Sequence, residues 1–406
     1  MPKNIVGLPA RGDDFFGRED LASLLWDRLD SGNVLLAAPR RFGKTSLMYR
    51  LLDDPKDGWK VLHVDAESIR EPVNFIVALL DALLADRELR NFLLSAWKKA
   101  GAAIRGLFDE LELTTPWDVA AKVKFKDKIA PDWLAHGQAL LEALRGYDCG
   151  TRLLFIIDEL PVMLHLFRDN NVSDADARAF LHWFRKLRTD PKVGLTNCRF
   201  LVGGSVGIEP HLSRLGAVDS FNDFERFPLP ELSDKQAARF LKLLLADRRV
   251  RLSAACRRRI LELTGAPIPY FVQVFVSNVA AAKAHDRRPI GLRRLEAIYQ
   301  DDVLGPASKG YFQHYYDRLS RLDKATEQAA KALLKELALA APNPVARASL
   351  RAIYSQVLGE AGTDEEFSRL MAELENDFYI RCLTGPEGCA FASKILCDWW
   401  RRYYAL

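Results

Sequence analysis

Apolar and polar positions along the chain predict an alternation of strands and helices. From Asn33 the run NVLLAA has strand length; a turn-rich stretch follows, and then apolar residues at helical spacing from Lys44 to Leu52. That reads as strand, loop, helix. Lys60 to Val64 predicts a second strand and Pro72 to Ala85 a helix, while Arg152-Leu-Leu-Phe-Ile-Ile is apolar almost without interruption and closes on Asp158-Glu159. Such a run fits a strand buried on both faces of a parallel sheet. Arg199-Phe-Leu-Val-Gly-Gly-Ser205 predicts a further strand whose polar end stands beside the acidic one. The short repeats continue to Phe227-Pro-Leu-Pro, so the expected sheet has five parallel strands covered on both faces, an α/β fold.

Beyond Phe227-Pro-Leu-Pro the period becomes helical. Ser233 is a natural N-cap for SDKQAARFLKLLLA, a second helix starts at Ser253, and a third follows Pro267. Tyr311 to Leu339 reads as one long amphipathic helix, followed by a shorter helix around Leu350 and another from Glu365 to Glu375. Phe378-Tyr-Ile-Arg-Cys-Leu and the turn Thr384 to Gly388 then predict a hairpin. Helices followed by a hairpin suit a winged helix. The expected division is a core over 1–231, a helical lid over 232–308 and a winged-helix-like domain over 309–406. The least legible stretch is an insertion at about 86–131, with helix-like apolar runs, Lys98-Lys99, Lys122 to Lys128 and room for a hairpin.

The chemistry concentrates where these strands end. Ala38-Pro39-Arg40-Arg41-Phe42-Gly43-Lys44-Thr45 matches the phosphate-loop pattern GxxxxGK[ST], with Ala38 where the first glycine belongs. A polyphosphate needs inward-pointing backbone N–H groups backed by a helix N-terminus, which a wrapped loop ending in Gly43 and running on through Ser46 supplies. Lys44 would reach the β and γ phosphates, and the Thr45 hydroxyl would serve Mg²⁺. Asp158 would hold the same ion, Glu159 would orient and deprotonate the attacking water, and Ser205 would sense the γ phosphate. The competing readings are a basic turn before an ordinary helix and an acidic pair capping the next helix. With Lys60 to Val64 and its helix lying between loop and acidic strand, the order favours the additional-strand class of P-loop proteins over the kinase and GTPase class.

These residues resemble the archaeal-type ATPase family, near the AAA+ and STAND groups of P-loop ATPases. The resemblance rests on Phe16-Gly-Arg-Glu19, the APRRFGKTSL loop, the LLFIIDELP and LVGGSVGIEP strands, and Thr264-Gly-Ala-Pro-Ile-Pro-Tyr270. It extends to Phe378-Tyr-Ile, Gly388-Cys-Ala-Phe and Asp398-Trp-Trp-Arg-Arg-Tyr, and so covers most of the chain. It implies an ATP-binding core with Mg²⁺, a lid and a winged helix, with Phe16 and Arg18 near the adenine and Pro269 contributed by the lid turn. It also implies turnover coupled to assembly or signalling, with a protein partner or further copies of the chain. Two features depart from the pattern: Ala38, and the lack of a clear lid arginine beside TGAPIP, which leaves Arg199, Arg214 and Arg226 as candidates for an arginine supplied in trans. A bland reading of Phe16 to Glu19 is the approach to a helix. Rival functions are a nucleotide-gated lock with little hydrolysis and a DNA-associated ATPase.

Composition narrows the class. In 406 residues, 49% are hydrophobic and 28% charged, which excludes wholesale disorder and collagen-like or coiled-coil designs. The longest apolar stretches, such as Val34 to Ala38, fall far short of the ~20 residues that cross a bilayer. The N-terminus lacks a signal-like apolar run, so the expected compartment is the cytoplasm. Six cysteines at no CxxC spacing read as buried free thiols, and seven scattered histidines give zinc no support. The net charge of +4 is mild, but residues 234–302 hold fourteen Lys/Arg against seven Asp/Glu, a local +7 that could meet nucleic-acid phosphates, an acidic protein or simply water. Residues 310–406 hold twelve against thirteen, too neutral for the basic footprint of a DNA-reading wing. Trp399, Trp400, Tyr403 and Tyr404 read as a terminal helix docked on its own core.

Overall fold

The computed structural model describes residues 1–99, 119–144, 150–189, 197–204, 208–359, 362–383 and 388–405. By its internal contacts the chain forms two compact units. One comprises Glu19–Ala37 and Lys44–Pro228; the other comprises Met1–Arg18, Ala38–Gly43 and Leu229–Leu406.

The first unit opens with α1 (Glu19–Ser31), β1 (Asn33–Ala37), α2 (Lys44–Asp53), β2 (Trp59–Asp65) and α3 (Pro72–Ala85). α4 (Arg87–Lys99), α5 (Val119–Ile129) and α6 (Trp133–Leu144) follow, so the described parts of the insertion are helical and the hairpin expected there lies outside the described residues. Then come β3 (Arg152–Asp158), α7 (Leu160–Asp169), α8 (Asp174–Thr189), β4 (Cys198–Gly204), α9 (Ile208–Arg214) and β5 (Phe224–Pro228). All five strands are parallel, in the order β2-β3-β4-β1-β5. The additional strand is therefore β4, seated between β1 and β3, whereas β2, which lies between them in sequence, is at the sheet edge. This order brings the carboxyl ends of β1 and β3 to one edge of the sheet, flanking Gly204.

β3 is buried from Leu153 to Asp158, as its uninterrupted apolar run requires. Phe75 of α3 meets Phe180 and Phe184 of α8 at 5.1 and 5.9 Å, and Phe155 stacks on Phe200 at 5.1 Å across β3 and β4. Aromatic pairs of this kind add to the stabilisation from buried area. The apolar core is thus continuous beneath the strand ends that carry the polar residues.

In the second unit, Ser233 caps α10 (Asp234–Asp247) in a reciprocal capping box with Gln236, and Ser253 caps α11 (Ala254–Thr264). α12 (Pro269–His285) begins with proline in its first turn, where the missing N–H costs nothing, and buries Phe271, Val272, Phe275, Val276 and Val279. α13 (Leu292–Ile298) follows. The long helix expected from Tyr311 to Leu339 is instead two: α14 (Lys309–Arg318) and α15 (Lys324–Ala340). A 3₁₀ turn over Leu319–Arg321 separates them, and Asp323 accepts hydrogen bonds from the N–H groups of Ala325 and Thr326 to start the second. α16 (Arg347–Leu358), α17 (Asp364–Asn376), the antiparallel hairpin β6 (Ile380–Cys382) and β7 (Cys389–Phe391), and α18 (Lys394–Trp400) complete the unit. The turn of that hairpin, 384–387, lies outside the described residues.

The cysteine reading needs correcting. Cys198, Cys256 and Cys397 are buried thiols, but Cys382 and Cys389 face each other across the hairpin and form a disulfide. Cys149 lies outside the described residues. Trp399 and Trp400 are fully buried, and Tyr404 stacks on Tyr316 at 3.7 Å, so the terminal aromatics do dock on their own unit. Among the described residues no helix is long and apolar enough to cross a membrane.

Candidate functional site

The loop after β1 turns through two left-handed residues, Arg41 and Gly43. Gly43 has φ +91°, which a side chain would resist, whereas Ala38 keeps a negative φ, so alanine fits where the pattern asks for glycine. Arg41 adopts φ +69°, and its guanidinium lies 4.5 Å over the Tyr270 ring while donating to the Gly7 carbonyl at 3.0 Å. Phe42 is buried and meets Phe378 edge-on at 4.9 Å. Buried Arg18 donates to the carbonyls of Phe42 and Pro230, the latter at 2.9 Å, and burial pushes its pKa down to about 10. Arg18 therefore braces the loop backbone. Phe16 stacks on Phe240 at 5.2 Å, and Pro269 occupies the first turn of α12.

α2 begins at Lys44, which is buried, and Ser46 stands in its first turn. The Thr45 hydroxyl donates to Asp158 Oδ2 at 2.7 Å, and the Glu159 N–H donates to Asp158 Oδ1 at 3.0 Å. Both carboxylate oxygens of Asp158 are thereby oriented. Its pKa is pushed up to about 6, mainly by burial and further by the Glu159 charge, while the Thr45 hydrogen bond and the Lys44 charge pull the other way. Glu159 occupies the N-cap position of α7 at φ 56° and ψ 36°, yet its side chain makes no capping hydrogen bond. A non-glycine residue held left-handed costs on the order of 1–3 kcal/mol and is characteristic of functional turns. Ser205 lies outside the described residues. Of the candidate arginines, Arg199 is at the amino end of β4, away from the edge where Asp158 lies; Arg214 pairs with Asp174 at 2.8 Å and Arg226 with Glu209.

Two glycines belong to the site although their role was not read from the sequence. A Cβ on Gly203 would stand 2.2 Å from Met48 Cε and 2.8 Å from Asp158 Oδ1; one on Gly204 would stand 2.4 Å from Pro161 Cδ. Glycine inside a strand pattern is itself the signal of such close approach. Gly204→Ala is expected to push α7 and Glu159 outward, because the proline ring cannot rotate away, at a cost of about 1–3 kcal/mol. A urea melt checks it; an unchanged midpoint would show that the strand end has slack.

His314 on α14 faces the loop's arginines within the second unit. Burial first, then the charges of Arg41, Arg40 and Arg318, push its pKa from 6.5 down to about 3. The unfolded chain binds this proton more readily than the folded one throughout that window, so stability falls as pH drops from 6.5 towards 3. Between pH 7 and pH 5 the loss is about 2 kcal/mol, and His314→Phe is expected to remove it. Urea midpoints at the two pH values read the difference directly.

Neither a family model nor a curated protein matches the sequence. Solved structures do match the fold. The Walker-type ATPase PABY2304 of Pyrococcus abyssi superposes with a TM-score of 0.64 at 14% identity, over 98% of this chain and 99% of that one. The ORC2 protein of Aeropyrum pernix, solved as ADPNP–ADP complexes, gives 0.54 at 13% identity, over 96% of this chain and 93% of that one. The chain has the fold of a Walker-type P-loop ATPase. In a P-loop fold the loop after β1 and the acidic end of β3 are the two phosphate-side elements, and here the Thr45–Asp158 bond joins α2 to β3.

Among the described residues no group of three or more His, Cys, Asp or Glu side chains could cage a metal. What converges instead is one hydroxyl and one carboxylate, both hard oxygen donors, beside a buried ammonium. That sparse set fits Mg²⁺, which keeps several waters and shares phosphate oxygens rather than filling a protein cage.

Proposed function

We propose that the chain binds and hydrolyses ATP with Mg²⁺ and uses the nucleotide state as a switch towards a macromolecular partner, a protein or further copies of itself. The observation that carries this reading is the 2.7 Å bond from Thr45 to Asp158 beside buried Lys44. In this reading Ala38 to Ser46 cradle the phosphates, Lys44 binds the β and γ groups, and Phe16, Arg18 and Pro269 serve the base. Thr45 and Asp158 would hold Mg²⁺, which supplies charge neutralisation for the transferred phosphoryl group. Glu159 accepts a proton from water at its carboxylate, and Ser205 senses the γ phosphate. We assign 1–231 to the ATPase core, 232–308 to the lid and 309–406 to a winged helix.

One observation favours a slower device. Arg214 and Arg226 are each committed to an ion pair, so neither of these two candidates is ready to stabilise a neighbouring copy's transition state without rearrangement. That supports ATP acting as a lock until a partner arrives. Single-turnover phosphate release at protein excess separates the two readings. Release within seconds without a partner supports the autonomous switch; retention of intact ATP for many minutes supports the lock; no retained nucleotide at all contradicts both.

A further inference from the structure

The basic stretch 234–302 is not one patch, and the structure sorts its cations by what they touch. Arg248 pairs with Asp247 and donates to the Asn4 carbonyl, Arg259 pairs with Glu262 and Glu296, and Arg288 and Arg294 pair with Asp286. These arginines tie helices and loops together. The side chains of Lys235, Lys242 and Arg249, by contrast, make no ion pair or hydrogen bond among the described residues, and that of Arg239 overlies the Phe16 ring at 5.4 Å.

Three of these lie along one helix and the fourth just past its end. The exposed positions of α10 beyond its first residue are Lys235, Ala238, Arg239, Lys242 and Ala246, and Arg249 follows at its end. At 3.6 residues per turn the five helical positions fall within an arc of about 100°, and from Lys235 to Arg249 the row runs ~20 Å. The opposite face, with Ala237, Phe240, Leu241, Leu244 and Leu245, is buried. No carboxylate interrupts the row between residues 235 and 246. Asp247 is turned to the Asn4 N–H and Arg248.

Arg249 adds a second observation. It sits just past the C-cap at φ +55°, with its N–H on the Ala246 carbonyl, the position where glycine is the usual residue. An arginine stands there although the backbone favours glycine.

We propose that this row, Lys235, Arg239, Lys242 and Arg249, is a docking surface for the phosphate backbone of double-stranded DNA, contacted without regard to sequence. A row of cations spaced by alanines lets a polyanion approach closely and releases its counterions. A protein partner would need apolar or aromatic anchors at the centre of its footprint, and the exposed face has nothing apolar larger than alanine. Single strands are held by stacking on aromatic platforms, and duplex RNA through its 2′-hydroxyls; the exposed positions of α10 carry neither aromatic nor neutral hydrogen-bonding side chains, and the Phe16 ring beside Arg239 already stacks on Phe240.

The test is fluorescence anisotropy of a labelled 20-base-pair DNA duplex with the full chain, without nucleotide, at several salt concentrations. Leaving nucleotide out keeps the outcome separate from that of the ATPase reading. Four phosphate contacts give a slope of log affinity against log salt of about −3.6. The combined variant Lys235→Ala, Arg239→Ala, Lys242→Ala and Arg249→Gly is expected to bring that slope close to zero and weaken binding at 50 mM salt at least tenfold. Arg249→Gly alone should lower the slope by about one while raising the melting temperature, since glycine accepts the left-handed backbone. A stabilised protein that binds less well cannot be explained by misfolding. Absence of duplex binding at low salt, undiminished binding by the combined variant, or tighter binding of single-stranded DNA or duplex RNA would each overturn the proposal.

Discussion

Lys44→Ala is expected to weaken binding of ATP with Mg²⁺ on the order of 100-fold or more. Lys44 is buried at the first position of α2, and its charge acts on Asp158 at the end of β3. Removing one member of a buried, hydrogen-bonded charge pair typically costs 2–5 kcal/mol, and about 2.7 kcal/mol already corresponds to a factor of 100. Thermal shift reads the effect simply. A ligand at 100 times its Kd stabilises the parent by about 2.7 kcal/mol, and the variant at the same concentration should show little of this. A shift equal to the parent's would remove Lys44 from the phosphate site.

Glu159→Gln is expected to keep nucleotide binding and to lower turnover by about 10²–10⁴-fold, the usual contribution of a general base. The substitution keeps side-chain shape and does not touch the N–H that orients Asp158, because that donor is backbone. The left-handed turn at Glu159 should also survive, since it is held by the start of α7 and by the packing of Pro161 on Gly204. Filter binding of radiolabelled ATP alongside phosphate release gives both quantities. Equal turnover by variant and parent would refute the base assignment; loss of binding would mean that Glu159 acts in the ground state.

The elements legible in the sequence are those whose signal is local. β3 declares itself because a strand buried on both faces has no polar interruption until Asp158, and the β1–loop–α2 segment because Gly43, Lys44 and Thr45 stand at a fixed spacing. What was hidden depends on residues distant in sequence. Nothing in Cys198 to Gly204 tells which strands will flank it, so β4 rather than β2 as the inserted strand emerges only from the pairing. A separation of seven residues does not reveal that Cys382 and Cys389 face each other; the hairpin register does. The break after Arg318 was masked because apolar spacing stays helical on both sides, while the decisive cap is the single side chain of Asp323. The same holds for the loop. Its phosphate-binding pattern is visible, but the anchoring of Arg41 by Tyr270 and of Phe42 by Phe378 joins residues more than 200 apart.

The most direct measurement is a calorimetric titration of ATP into the purified full chain and into Asp158→Asn, each with and without Mg²⁺. If the loop and the acidic strand end form one phosphate site, the parent binds one nucleotide per chain and Mg²⁺ tightens that binding, while in Asp158→Asn the tightening is lost. No heat of ATP binding in the parent, or the same gain from Mg²⁺ in both proteins, would contradict it.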